Sequence, residues 1–411
     1  MRLKPVFLSF LFVAVLPAVT GLTCDSGSLD TECVINTEKI FDGSNSSISG
    51  TGNLTLQSSG SFNYQQNREV LDIEMGDTVS LRNGSTILAN VNISGSDLII
   101  EETAKINASG LGYTRDSGPG SPAPVDGSFE SGPGGGFGGV GGDGDSGLSG
   151  GSTYSSASDP LSQGNGFGSG GASSEYDGVG APGGGRVVLD ISNLLVLNGS
   201  VLADGGKAPD TPEYDEAGGG GSGGSIIMNV SSFSGNGSIY ARGGDGGVEA
   251  DSYPSQGGGG GGGRVVFGDA IYSGQVDVTG GDAGSRAEDG VMGSVYPFDF
   301  FCDSGSVDSV CFVSSDVQVS SFSGSGDLVV ESGGRLWSNR GMDLGFGSVV
   351  VESGGVLESV SGSGVVSGDG LDVSGSVVFP GGLSLVGVSG LDVSGVVGSG
   401  SGFSASNVST L

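Results

Sequence analysis

The chain has 411 residues, 88 of them Gly and 13 Pro, with no His and a net charge of −32. The lack of His excludes a Ser-His-Asp triad and His-ligated metals, and the charge, with Lys only at positions 4, 39, 105 and 207, excludes a nucleic-acid partner. Gly follows no strict Gly-X-Y period, which excludes collagen, and a 35% hydrophobic content that recurs in short Val/Ile/Leu runs argues against full disorder. An acidic, lysine-poor surface stays soluble in concentrated salt; a halophilic source and an ordinary acidic secreted protein both fit it.

Residues 1–21 read as a secretory signal peptide. Arg2 and Lys4 are the positive start, Val6 to Leu16 is the apolar run, Pro17 breaks it, and small residues lead to Gly21. The run is shorter than the ~20 apolar residues of a membrane span. Gly21-Leu22-Thr23 before Cys24 is a poor lipobox, and no hydrophobic tail follows Ser406. The expectation is a secreted protein, extracellular or at the cell surface, with no membrane span.

Residues 22–111 form a first cysteine module with a β-solenoid. Cys24-Asp-Ser-Gly-Ser-Leu-Asp-Thr-Glu-Cys33 returns as Cys302-Asp-Ser-Gly-Ser-Val-Asp-Ser-Val-Cys311. The likeness continues from Ser49–Gly60 to Ser323–Gly334. In an exported chain such cysteines become disulfides. Four cysteines allow three pairings, of which pairing within each module is the simplest. A zinc site needs closely spaced thiolates or His, and neither is present.

Residues 112–182 are rich in Gly, Ser, Asp and Pro and poor in apolar residues. They read as an insertion that projects from one face, thinly ordered and dispensable for folding. Residues 183–298 repeat every 39 residues. Gly183-Gly-Gly-Arg-Val-Val-Leu189, Gly223-Gly-Ser-Ile-Ile-Met228 and Gly262-Gly-Arg-Val-Val-Phe267 put Arg186, Ser225 and Arg264 at equal steps. Each unit reads strand, turn, strand, glycine-rich loop. The glycine runs read either as floppy loops or as packed polyglycine II threads; their fixed phase favours order.

Residues 299–411 hold the second cysteine module and a shorter period. Asp327–Gly334 returns as Ser348–Gly355, and Gly370–Gly375 as Gly390–Gly395. Such a unit cannot bury its own apolar face, but stacked units can. The fold class expected is therefore all-β: a right-handed parallel β-solenoid, or β-helix, with glycine-rich loops. The alternative is a set of β-sandwich repeats. With period-2 alternation, Leu328 and Val330 face one side, Val329 and Glu331 the other.

The alternation of Gly-Gly-Gly-x-Gly-Gly with short Ile/Val strands resembles the glycine-rich repeat regions of cell-surface, adhesin-like proteins of microbes and of plant extracellular glycine-rich proteins. The cysteine modules are similar to entry segments of parallel β-helix surface proteins, archaeal ones included. The resemblance covers residues 22–411 as architecture. It implies a surface or matrix role and carries over no catalytic residues.

Sequons place candidate glycosylation sites at Asn45, Asn53, Asn83, Asn92, Asn107, Asn198, Asn229, Asn236 and Asn407. Gly138-Gly-Val-Gly-Gly-Asp143 matches the start of a calcium nonapeptide, but Asp145 stands where a large apolar residue belongs, and no tandem copy follows. Gly257–Arg264 lacks the Lys-Ser/Thr ending of a phosphate loop. Glu331, Glu352, Asp372 and Asp392, spaced by 21, 20 and 20 residues, read as an outward ladder of carboxylates on successive rungs, with calcium as the ion that fits. A solvated acidic edge is the other reading. No cofactor is otherwise implied.

Together these features predict a structural or adhesive surface protein, a rigid glycosylated β-rod without catalysis. Its partners would be cell-surface glycans or other surface proteins. The alternative is an extracellular polysaccharide-active lyase or hydrolase on a β-helix. For that reading Trp337, the one Trp, with Arg335 and Arg340, is the spot to test.

Overall fold

The computed structural model describes residues 22–41, 47–65, 68–123, 125, 130–145, 147–174, 178–212, 216–250, 255–268, 272, 274–283, 286–296, 304–305, 310–314, 316–318, 321–323, 326–338, 342–359, 362–388, 390–399 and 403–406. The expected signal peptide, Asn45, Cys302, Arg340 and Asn407 lie outside them. The protein is all-β with parallel sheets, and two short 3-10 turns, Pro160–Ser162 and Gly164–Gly166, stand among the strands. No described helix is long and apolar enough to cross a membrane.

Two stacks of rungs carry the strands. In the first, the chain passes through three columns in turn and pairs each strand with the one a turn earlier. Column one runs through Glu32–Ile35, Asn53–Leu56, Thr78–Leu81 and residues 97–100, then 194–197. Column two holds Glu38–Ile40, Ser61–Tyr64, residues 86–89, Lys105–Asn107, Ser200–Leu202, Ser238–Tyr240 and Gln275–Asp277. Column three holds Ser47–Gly50, Val70–Met75, residues 90–94, 187–191 and 225–230, Arg264–Phe267 and Ser294–Tyr296. Alternate residues point inward, so Leu54 and Leu56, Phe62 and Tyr64, Leu71 and Ile73 are fully buried in one continuous core that reaches from Cys33 to Val295. Residues 22–111 and 183–298 thus share a single core.

The second stack repeats the plan in five rungs. Its columns start at Val310–Val313, Asp316–Gln318 and Ser321–Ser323 and end at Gly390–Val393, Val396–Ser399 and Phe403–Ser406. Leu328, Val330, Leu336, Val349, Val351 and Leu357 fill its own core. The inward set includes Leu328 and Val330, as their alternation predicts.

A short antiparallel hairpin opens each stack, and these are the antiparallel pairs among the named strands. Gly27 faces Cys33 in one and Gly305 faces Cys311 in the other. Parallel pairing of all the other named strands sets aside the sandwich alternative, whose sheets are antiparallel. Cys24 and Cys33 form a disulfide with Cα atoms 5.3 Å apart, and Leu22, Cys24 and Leu29 cover the first core rung. Cys311 is disulfide-bonded.

Residues 112–182 depart from the expectation of a loose insertion. The chain leaves column two after Asn107 and re-enters column three at Arg186, the same place where the later glycine-rich loops leave. This long arm and the three shorter loops pack into one bundle of extended threads. In residues 219–224, successive backbone N–H groups donate to three neighbours in rotation. Gly219 and Ser222 reach Ala172 and Ser169; Gly220 and Gly223 reach Gly258 and Gly261; Gly221 and Gly224 reach Gly206 and Ala203. Carbonyls of the same thread accept from three more: Gly132 and Gly135, Ala181 and Gly184, Gly244 and Gly247. Hydrogen bonding in steps of three to six neighbours is the polyglycine II arrangement that the fixed phase of the repeats favoured. Phe137, Tyr154 and Phe167 of the arm are also buried. The arm is therefore packed structure: glycine buries its backbone, which no count of apolar side chains detects.

Candidate functional site

Column three presents its outward residues beneath the long arm. Asp72, Asn92 and Val188 lie side by side on three adjacent rungs, and Glu74, Ser94 and Asp190 form the parallel row two residues on. Leu161, on the first 3-10 turn of the arm, packs on Val188, Ile227 and Val266 and forms a wall. The result is a groove of about 270 Å³ lined by these groups and Arg186. Its floor is an array of acceptors and donors, and its wall is apolar.

The arm is held there by the residues at equal steps of 39. Arg186, Ser225 and Arg264 pair across neighbouring strands. Arg186 donates to the Asn165 carbonyl at 3.3 Å and to Asn92 Oδ1 at 3.4 Å. Ser225 Oγ donates to the Gly166 carbonyl at 2.8 Å. Arg264 donates to the Tyr154 carbonyl at 2.9 Å and to Ser294 Oγ at 2.7 Å. Phe167 and Phe137 lie under the two guanidinium groups, at 5.6 and 5.4 Å. Burial pushes the pKa of Arg186 down, against the pull of Asp72, and that of Arg264 down, against Tyr154. Burial also pushes the Tyr154 phenol up. Asn90, fully buried, ties both ends of the arm: its Nδ2 donates to the Leu111 carbonyl and its Oδ1 accepts from the Arg186 N–H. The repeat was visible in the sequence; its role as a clasp was not, because the carbonyls it binds carry no side-chain signature.

The carboxylate ladder is not brought together as one column. Val330 pairs with Val351 and Val351 with Val373, so Glu331 and Glu352, one residue past their strands, align with Ser374. Asp372 aligns with Val350 on one side and with Asp392 on the other. The four acids are two separate pairs, displaced by two residues. Among the described residues no group of three or more Cys, Asp or Glu could hold a metal ion. Gly138, Gly139, Gly141 and Gly142 are threads of the glycine bundle, and Asp143 Oδ1 accepts from the Gly150 N–H at 2.7 Å. Packing thus accounts for the nonapeptide match, and likewise for Gly257–Gly263. The Trp337 ring is stacked by Arg335 at 4.7 Å, whose Nε donates to Glu358 at 2.8 Å.

Comparison with family models, with curated proteins and with solved structures finds no match to this chain. The functional reading therefore rests on the chain's own geometry.

Proposed function

We propose that the protein is an exported structural or adhesive protein of the cell surface or matrix, a rigid glycosylated rod without catalysis. The observation that carries this reading is the glycine bundle. It commits residues 112–182 and the three later glycine-rich loops to backbone-to-backbone packing that stiffens the body. The handedness of parallel crossovers supports right-handed coiling of both stacks. The groove under the arm would contact cell-surface glycans or other surface proteins.

A second reading is favoured by one observation. Glu74 and Asp190 stand in the same outward row two rungs apart, which puts their backbones ~10 Å from each other across an open groove. Paired carboxylates flanking a groove are what a polysaccharide-active enzyme requires. Incubating the secreted chain with a panel of plant, algal and microbial polysaccharides separates the two. No release of reducing or unsaturated ends, with retention of the protein on one of the insoluble polysaccharides, is the expected result. Release of ends that stops in Glu74→Gln would replace the structural reading with the enzymatic one.

A further inference from the structure

Seven of the nine sequon asparagines lie within the described residues, and their surroundings divide them. Asn92 and Asn229 use their Nδ2 atoms as hydrogen-bond donors. Asn92 donates to Asp72 and Asn229 to Asp190, each at 2.7 Å, tying one rung to the preceding one. Asn53 and Asn107 are half-buried, and their Oδ1 atoms accept from the Thr78 and Ser109 N–H groups at 3.0 Å. A sugar on Asn53 or Asn107 needs room that the fold fills, and on Asn92 or Asn229 it replaces one of the two amide hydrogens and crowds the carboxylate that the other one holds.

Asn83, Asn198 and Asn236 differ. All three are exposed, and none donates a side-chain hydrogen bond among the described residues; Asn83 Oδ1 accepts from the Thr103 N–H at 3.0 Å, a bond that a glycosylated amide keeps. Asn83 sits in the turn between Thr78–Leu81 and Thr86–Ile100, Asn198 between Arg186–Leu197 and Ser200–Leu202, and Asn236 between Ser225–Ser234 and Ser238–Tyr240. Each of these turns joins column one to column two. Backbone bonds stack them: Glu101 N–H to Leu81 O, Asn198 N–H to Ile100 O, and Gly237 N–H to Leu197 O. Three accessible amides thus line one corner of the first stack. That corner borders neither edge of column three, where the groove and the arm lie.

We infer that N-linked glycans are carried by Asn83, Asn198 and Asn236, a single sugar-bearing corner, while Asn53, Asn92, Asn107 and Asn229 serve as structural amides. The inference rests on the export reading and goes beyond it by naming the sites. It also orients the rod, because sugars on that corner leave the groove face open. Asn198 and Asn236 are on successive rungs, ~5 Å apart, so two bulky cores crowd each other. Partial occupancy of that pair is expected beside full occupancy of Asn83.

The full chain, with its own N-terminus, is secreted from a eukaryotic host, and the folded fraction in the medium is purified. Enzymatic removal of N-glycans in heavy-oxygen water then marks every glycosylated Asn as labelled Asp. Label at Asn83, Asn198 and Asn236, with none at Asn53, Asn92, Asn107 or Asn229, is expected. Label at Asn92 or Asn229 equal to that at Asn83, or a secreted chain with no label, overturns the inference and leaves export standing. A chain retained inside the cell with residues 1–21 uncleaved overturns the export reading and this inference with it. Bacterial, sugar-free protein supplies the second measurement. Asn92→Ala and Asn229→Ala should each lower the unfolding midpoint by at least about 2 °C, whereas Asn198→Ala and Asn236→Ala should not. Equal losses in both sets would overturn the division.

Discussion

A chain with 46 acidic and 14 basic residues must hold its carboxylates on closely spaced rungs. Side-chain amides do much of this. Asn63 donates to Glu38, Asn92 to Asp72, Asn193 to Asp97 and Asn229 to Asp190, each across a rung, at 3.0, 2.7, 2.7 and 2.7 Å. A neutral donor satisfies the carboxylate without the desolvation that a buried cation would add. At the first cap, Asp25 accepts from Lys39 Nζ at 2.6 Å and from the Asn36 and Thr37 N–H groups. The Lys39 bond and then the Asn36 bond hold its pKa at about 2. Because that folded value lies below the ~3.9 of an unfolded Asp, Asp25 stabilises the cap above about pH 4 and this contribution fades as pH falls toward 2. Asp25→Asn should flatten acid unfolding in that window alone, as followed by fluorescence between pH 5 and 2. Glycine sets a harder limit. A Cβ on Gly220 would stand 2.0 Å from the Gly244 carbonyl oxygen and within 2.9 Å of the Asp245 backbone. Gly220→Ala should therefore cost about 3 kcal/mol, the upper part of the overpacking range. Gly268→Ala, whose nearest atom would be 3.5 Å away, should be close to neutral in the same denaturant titration.

Strands were easier to read than the elements between them. The duplicated cysteine segments correspond to two hairpin caps, and the 39-residue step reproduces the pairing of Arg186 with Ser225 and Arg264. Both signals are legible because β-branched residues in alternation have one inward set. The acid ladder was misread for a related reason. Equal spacing in sequence gives equal register only when the turns have equal length, and from Glu352 the next aligned residue is Ser374, 22 positions on, not Asp372. The long arm was misread because burial was sought in apolar side chains, whereas Gly132, Gly134 and Gly135 are buried by their backbone. The expectation that the arm is dispensable reverses accordingly. Its removal would leave the Gly219, Ser222, Gly258 and Gly261 N–H groups without their acceptors in Ala172, Ser169, Gly132 and Gly135. Each unsatisfied buried group costs about 1–3 kcal/mol. Replacing residues 112–182 by a short Gly/Ser linker should abolish the cooperative unfolding transition of the first stack, as followed by calorimetry. An unchanged midpoint would mean that the remaining threads close the bundle without it.

At the scale of the whole molecule, the net charge of −32 sets how the stacks respond to salt. Like charges on one body repel over a Debye length of ~10 Å at 0.1 M salt and ~3 Å at 1 M. Asp372 and Asp392 are neighbours across one strand pair, and exposed. Rungs ~4.8 Å apart put such a pair inside the screening length at low salt and beyond it at molar salt. Raising sodium chloride from 0.05 to 1 M should therefore raise the unfolding midpoint, by about 2–4 °C for each kcal/mol of repulsion removed. The response should be general rather than specific to one ion. The four acids once aligned in sequence stand as two displaced pairs, and no described cluster offers three carboxylates to a metal. A Ca²⁺ site of high affinity takes 6–8 oxygens, more than one pair supplies. Calcium chloride and sodium chloride at equal ionic strength should therefore shift the midpoint by equal amounts, and a chelator should not change it. A shift with millimolar calcium far above that of matched sodium, lost in Asp372→Asn with Asp392→Asn, would show that the pair recruits further ligands and binds the ion.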